Sequence, residues 1–354
     1  MRVLQLLPTL SYGDATGNEA LAIDEMLKKC GFSTKIFAEN REVRVMSRAY
    51  SIENWKKPDS EDLLIYHMAI ASGLKKIIEQ AGCRKIVRYH NITPARFFEP
   101  YDLHMLNLLE SGAEEFRKMR ADFDYGLADS TFNKTELSSY GYTCPVDVMP
   151  ILMNFDDYRQ TPDPAVMERM SGRRGKLILH VGRIAPNKKI EDVIAAFVMY
   201  KKHYDPDAVL VLAGKYEPQD SYFRRLKKYV ETLGSAGIIF TGRIGFTELL
   251  AYYRSADLYL CMSEHEGFCV PLVESMFFSL PVVAYRSTAV PETLGNAGIL
   301  LDEKNPLLTA GVMDRVLRDT DLNAQLKENE AEQLKLYMPE RVSALLMEKL
   351  RRFI

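Results

Sequence analysis

An α/β protein built from doubly wound parallel sheets, in two domains, is the fold class that this sequence predicts. Three observations carry the prediction. Short apolar runs alternate with amphipathic segments along the chain, the pattern of strands joined by crossover helices. With 354 residues the chain is long enough for two domains. Its character changes once, at residues 154–176, where Asn154-Phe-Asp-Asp, Thr161-Pro-Asp-Pro and Ser171-Gly-Arg-Arg-Gly175 read as a polar, turn-rich connection.

The expected strands of the first domain are Arg2–Leu7, Thr34–Ala38, Leu63–Ile70, Lys85–Tyr89, Tyr125–Ala128 and Asp147–Ile151. Those of the second are Leu177–Val181, Ala208–Ala213, Ile238–Thr241, Leu258–Met262, Pro281–Ala284 and Gly298–Leu301. Most are near-continuous apolar runs, as strands buried on both faces must be. Helical periodicity is clearest after Lys188, where Ile190, Val193, Ile194, Phe197 and Val198 recur at i, i+3, i+4, i+7 and i+8. Asp220 and Thr247 are the expected N-caps of the next two helices. Near the end, Val342, Leu345, Leu346 and Leu350 form an apolar stripe on a helix of about 340–352. No internal repeat or low-complexity tract is evident.

Composition narrows the function classes. Hydrophobic content of 47% and charged content of 27% are those of a globular enzyme. A net charge of −2 does not favour nucleic acid as a partner. Five scattered cysteines with no Cys-x2-Cys pair speak against a zinc site or disulfide framework and suit the reducing cytoplasm. Val3–Leu7 is too short for a secretory h-region, and no run approaches the roughly 20 apolar residues of a membrane span. Peripheral contact with the inner face of a membrane is left open. In a cytoplasmic protein the sequons at Asn91 and Asn133 are chance.

In doubly wound sheets, ligands bind outside the carboxyl ends of the strands. The loops expected there are Thr9–Gly17, Ser72–Gly73, His90–Pro94, Arg183–Lys188, Gly242–Gly245 and Glu264–Val270, and two domains facing across a cleft would bring them together. The most informative is Glu266-Gly267-Phe268-Cys269-Val270-Pro-Leu-Val-Glu274, between a strand and a helix. Pro271 suits the first helical position, with Glu274 in the first turn and Glu266 on the loop before it. The arrangement sets free backbone N–H groups at a helix N-terminus, which bind phosphate, between two carboxylates that accept from sugar hydroxyls.

That stretch resembles the Glu-x7-Glu signature of the retaining glycosyltransferases of family 4, which have the GT-B fold of two Rossmann-like domains facing a cleft. Leu177-Ile-Leu-His-Val-Gly-Arg183-Ile-Ala-Pro-Asn-Lys188 resembles the family's Gly-Arg-Leu-x3-Lys element. Leu280-Pro-Val-Val-Ala284, Val290-Pro-Glu292 and Gly298-Ile-Leu-Leu-Asp302 are similar to its continuation. The resemblance implies an acceptor-side domain at 1–155, completed by a last helix (about 338–354) that crosses back to it. A domain binding the nucleotide sugar is implied at 156–337. It further implies that Arg183 and Lys188 clamp the donor diphosphate, that Glu266 accepts from the sugar and that Glu274 accepts from the ribose. Gly267, Phe268, Cys269 and Val270 would line the donor, and Gly13 and Gly17 of the first loop would approach it closely. His90 matches the family's first-domain histidine that contacts the transferred sugar.

Asp14, Asn18 and His67 are candidates for the acceptor side; for Asp14 and Asn18, loop capping is an equal alternative. Glu264 and His265 are also within expected reach of the cleft. Asp129-Ser130 and Glu292 read as structural. The sequence departs from the family's frequent glycine at Lys189, at Cys269 and at Thr288-Ala289. Cys269 reads as a packing thiol, since no base is evident beside it.

The expected activity is retaining transfer of a hexose from a UDP- or GDP-sugar to a glycan or lipid-linked acceptor, in polysaccharide or lipopolysaccharide assembly. Neither a cofactor nor a metal is expected, because no Asp-x-Asp pair stands near the clamp. A GT-B sugar-nucleotide epimerase and a non-catalytic nucleotide-sugar-binding protein are the alternatives. The acceptor, the linkage and the oligomeric state are not written in the sequence.

Overall fold

The computed structural model describes residues 1–353, and the chain folds as two compact units. The first comprises Met1–Arg96, His104–Phe155 and residues 337–353; the second comprises Phe97–Leu103 and Asp156–Leu336.

The first unit holds seven strands: β1 (Arg2–Leu10), β2 (Ser33–Arg41), β3 (Tyr50–Ser51), β4 (Leu63–Met68), β5 (Arg84–Tyr89), β6 (Tyr125–Ala128) and β7 (Val146–Val148). Their order is β3-β2-β1-β4-β5-β6-β7, and every pairing is parallel. All six residues of β4 are buried, so helices must cover both faces of the sheet. The helix Ala15–Lys29 begins where Asp14 accepts from Gly17 N–H, and it places basic Lys28 and Lys29 in its last turn, where the helix dipole favours them. It buries Ala20, Ile23 and Leu27.

The last helix, Pro339–Leu350, belongs to this unit. Its Val342, Leu346 and Leu350 pack with Val3, Ile65 and Ile86, and Leu345 lies half-buried beside them. Each fully buried leucine contributes roughly 1.5–3 kcal/mol, so the apolar stripe accounts for the chain's return.

The second unit holds β8 (Leu177–Val181), β9 (Val209–Ala213), β10 (Ile238–Gly242), β11 (Leu258–Cys261), β12 (Val282–Tyr285) and β13 (Gly298–Leu301). The order is β10-β9-β8-β11-β12-β13, again all parallel. The helix Ile190–His203 buries Ile190, Val193, Ile194 and Phe197, while Val198 is half-buried.

Two expectations are corrected. The connection at 154–176 is not irregular throughout: Asp163 caps a helix Pro164–Ser171 by accepting from Val166 N–H, with Pro164 in the first turn. Thr247 is not a cap. The helix Phe246–Ser255 starts earlier, at Gly245, whose N–H donates to Glu248 at 2.7 Å. No helix among the described residues is long and apolar enough to cross a membrane.

Candidate functional site

In the second unit, β8 ends into the loop that carries Arg183 and Lys188. A Cβ on Gly214 would lie 1.8 Å from the Gly182 carbonyl oxygen, so only glycine lets the end of β9 pass this close to the loop. A short turn, Pro186–Lys188, then delivers Lys188 to the end of β11. Its Nζ lies 2.6 Å from both carboxylate oxygens of Glu266. Burial alone would raise the Glu266 carboxyl and lower the Lys188 ammonium. Their mutual attraction wins, holding the acid below its ordinary value and the ammonium above its own. Arg183 is exposed, with no partner among the described residues.

Hydrogen bonds to the backbone lace these loops and the Thr288 loop together. Asn187 Nδ2 donates to the His265 carbonyl at 3.1 Å, and Glu264 N–H donates to the Asn187 carbonyl at 2.9 Å. The Thr288 hydroxyl accepts from Glu266 N–H and donates to the Glu266 carbonyl, both at 2.8 Å. Glu264 faces Lys304 at 2.9 Å and Lys189 at 3.4 Å.

The helix that follows, Val270–Phe277, has Cys269 at its N-cap and no side chain capping it. Pro271 therefore stands at its second position. Glu274 is not in the first turn, which holds no acid, but just past it. It is buried, and its two oxygens accept from the phenols of Tyr158 at 2.7 Å and Tyr253 at 2.5 Å. Burial pushes its carboxyl up against those bonds. Phe268 and Cys269 are buried, while Gly267 and Val270 are partly exposed.

Lys189, Cys269 and Thr288 have φ of +51°, +73° and +41°. Three of the four positions at which this chain departs from glycine are thus left-handed, where a side chain is strained, while Ala289 is right-handed with φ −84°.

The first unit gathers a second constellation at the ends of β4, β5 and β6. Arg88, fully buried, donates to both oxygens of Glu19, at 3.0 and 2.7 Å, and lies 2.7 Å from Asp129. His90 Nδ1 faces Asp129 Oδ2 at 3.2 Å, and His90 Nε2 faces His67 Nδ1 at 2.9 Å. Both ring nitrogens of His90 are thus engaged. His67 is fully buried and bonds onward to Gln5, which removes it as an acceptor contact. Asp14 caps its helix. Gly13 is exposed with φ +76°, Gly17 is buried in the first helical turn, and Asn18 is exposed beside it.

Two donor sets come within 4.8 Å: Glu19, His67 and His90, and Cys261, Glu266 and Cys269. In each the carboxylate already holds a cation, Arg88 or Lys188, which an added metal ion would have to displace.

The sequence reading missed Gln5, Glu19, Arg88, Tyr158 and Tyr253. Only Arg88 carries a local signal: a charge inside an apolar strand has to be paired.

Comparison with known proteins adds the following. Residues 170–333 match the profile of the family described as glycosyl transferases group 1. The serotype-specific mannosyltransferase WbdA of Escherichia coli is 28% identical over 154 residues, 43% of this chain and 19% of that protein. A GDP-mannose-dependent alpha-(1-6)-phosphatidylinositol monomannoside mannosyltransferase of Mycolicibacterium smegmatis is 26% identical over 55% of this chain and 53% of its own. The chain thus spans about a fifth of the first relative and about half of the second. Among solved structures, Anabaena HepE in complex with UDP and glucose covers 99% of this chain and 100% of its own, with a TM-score of 0.77 at 16% identity. The fold is GT-B.

Proposed function

We propose that the chain is a retaining glycosyltransferase that moves a hexose from a UDP- or GDP-sugar to a glycan or glycolipid acceptor, in polysaccharide or lipopolysaccharide assembly. The observation that carries this reading is the Lys188–Glu266 pair, 2.6 Å apart beside an uncapped helix start. It sets one cation and one hydroxyl acceptor side by side. The relatives' names support it, two of them mannosyltransferases, as does the UDP in the HepE structure.

In the proposed reaction Lys188 turns to the diphosphate, joined by Arg183, and Glu266 turns to the sugar hydroxyls. The bond from the anomeric carbon to phosphate breaks, a bond to the acceptor oxygen forms on the same face, and the acceptor proton goes to the departing diphosphate. Charge neutralisation comes from the two cations and the helix N-terminus, with no metal. Glu274 keeps the ribose, since each carboxylate oxygen has a second lone pair beyond its phenol. Gly267, Phe268, Cys269 and Val270 line the donor, and His90 contacts the transferred sugar. A lipid-linked acceptor would bring the protein to the inner face of the membrane.

The test is incubation with a panel of nucleotide sugars, with and without acceptor glycans, following free nucleoside diphosphate. Acceptor-dependent release that survives a chelator is expected. Donor conversion without acceptor would make the protein an epimerase, and binding without turnover a sugar-nucleotide-binding protein.

A further inference from the structure

Gln5 sets the direction of a line of hydrogen bonds through both histidines of the first unit. Its Nε2 lies 2.9 Å from the Ala20 carbonyl, which can only accept, so the amide cannot be turned round. Gln5 Oε1 therefore faces His67 Nε2 at 2.8 Å, and that nitrogen carries a hydrogen. A second hydrogen lies between His67 Nδ1 and His90 Nε2, 2.9 Å apart. His90 Nδ1 faces a carboxylate oxygen of Asp129 at 3.2 Å and carries a third. Two neutral imidazoles hold only two ring hydrogens between them.

We propose that His67 and His90 share one excess proton, and that His67 is a positioning residue that keeps His90 an imidazolium. The groups facing His90 agree. Asp129 approaches from the end of β6, Glu19 from the helix Ala15–Lys29 at 3.5 Å, and Asp14 from that helix's start. Arg88 stands on β5 behind both Glu19 and Asp129. With the histidine pair charged, two cations balance Glu19 and Asp129. With it neutral, a ring lone pair meets a carboxylate and the buried cluster is left one negative charge in excess, which is costly. A proton on Asp129 instead would oppose Arg88, 2.7 Å away. Burial and the charges of His90 and Arg88 hold the His67 ring well below its ordinary value, so the shared proton rests on His90.

The consequence for chemistry rests on the reading of His90 as a sugar contact. The imidazolium would then meet the sugar with its ring already oriented by His67 and Asp129.

The experiment uses the full chain labelled with ¹⁵N-histidine, without substrate, near pH 7. His90 should show two protonated nitrogens and His67 a hydrogen on Nε2. In His67→Asn, the amide oxygen stands where Nδ1 stood and the His90 signature should persist. In His67→Leu it should be lost, and the alkaline limb of the transfer rate should move down by about one pH unit, the loss of one hydrogen bond to the charged form. An unprotonated nitrogen on wild-type His90, or a His67→Leu spectrum or pH profile that does not move, overturns the proposal. If His67→Leu does not fold, the wild-type and His67→Asn spectra decide. A protein that transfers no sugar yet shows the wild-type signature would overturn the functional reading and leave the shared proton standing.

Discussion

The two units bury their charges in opposite ways. In the first, Arg88, Glu19, Asp129 and His90 close on one another with side chains no more than 3% exposed. In the second, Lys188 is 22% exposed and Glu266 8%, and among the described residues Glu266 is the one carboxylate that Lys188 meets. The first is a network closed around Arg88 with His90 on its margin, whereas the second is a single pair with one partly exposed member. Under the proposed function the partly exposed pair is the one that a ligand would open, and the closed network is what orients His90.

The comparison breaks first at Arg88. Arg88→Met leaves the two buried carboxylates with only the shared histidine proton to balance them, and should cost about 3–5 kcal/mol of stability. Denaturant unfolding measures it. An equal loss in Lys188→Met would show that the second pair is scaffold as well.

The next effect is on rate. Lys188→Ala and Arg183→Ala should each lower turnover about 100-fold, the scale for losing a preorganised charge, and be far less destabilising than Arg88→Met. Steady-state kinetics on both variants, beside their unfolding curves, decides. Near-wild-type turnover in folded variants would remove the clamp.

The sheets were legible because parallel strands are buried on both faces and so appear as unbroken apolar runs, as Leu63–Met68 does. The two-residue β3 is too short for such a signal. The Glu266 loop was legible because its residues are contiguous. The buried partners were not: Gln5 and His67, or Glu274 and Tyr158, meet across 62 and 116 residues, and no local pattern encodes that meeting. Glu274 falls one position later than expected, just past the first turn, because the helix begins at Val270, one residue before its proline. The helix Pro164–Ser171 was hidden by polar composition, although Asp163-Pro164 already wrote its cap and first turn. The cap expected at Thr247 lies two residues earlier, at Gly245, which has no side chain to cap with, and the Glu248 carboxylate accepts from the Gly245 N–H instead.

A third buried acid sharpens the contrast, because it has neither network nor open face. Glu330, on the helix Thr320–Leu334, is fully buried, and neither oxygen has a partner among the described residues. Burial pushes its carboxyl from 4.5 up to about 8. The folded state therefore prefers the neutral acid. Its contribution is fully present below pH 4.5 and is lost as pH rises through about 8. Glu330→Gln should raise stability above pH 8 by on the order of 2 kcal/mol, the cost of an unsatisfied buried group, with little change at pH 5. Thermal unfolding at both values checks it. A gain independent of pH would mean that the charge is not the cause.

The smallest effect concerns backbone strain in the open region, and there the sign is the test. Alanine is ordinarily more stable than glycine by roughly 0.5–1 kcal/mol, because glycine loses more freedom on folding. At Cys269, φ +73°, a side chain costs about 1–2 kcal/mol, and no side-chain cap offsets it. Cys269→Gly should therefore be more stable than Cys269→Ala by about 1 kcal/mol, reversing the usual order. Thr288 has φ +41°, but its hydroxyl makes two 2.8 Å bonds to the Glu266 backbone. Removing them costs about 1 kcal/mol each and outweighs the relief of strain, so Thr288→Gly should lose stability where Cys269→Gly does not. Unfolding curves of the three variants measure this. If both glycine variants shift the same way, strain alone governs the region and the Thr288 hydroxyl does not hold the Glu266 loop.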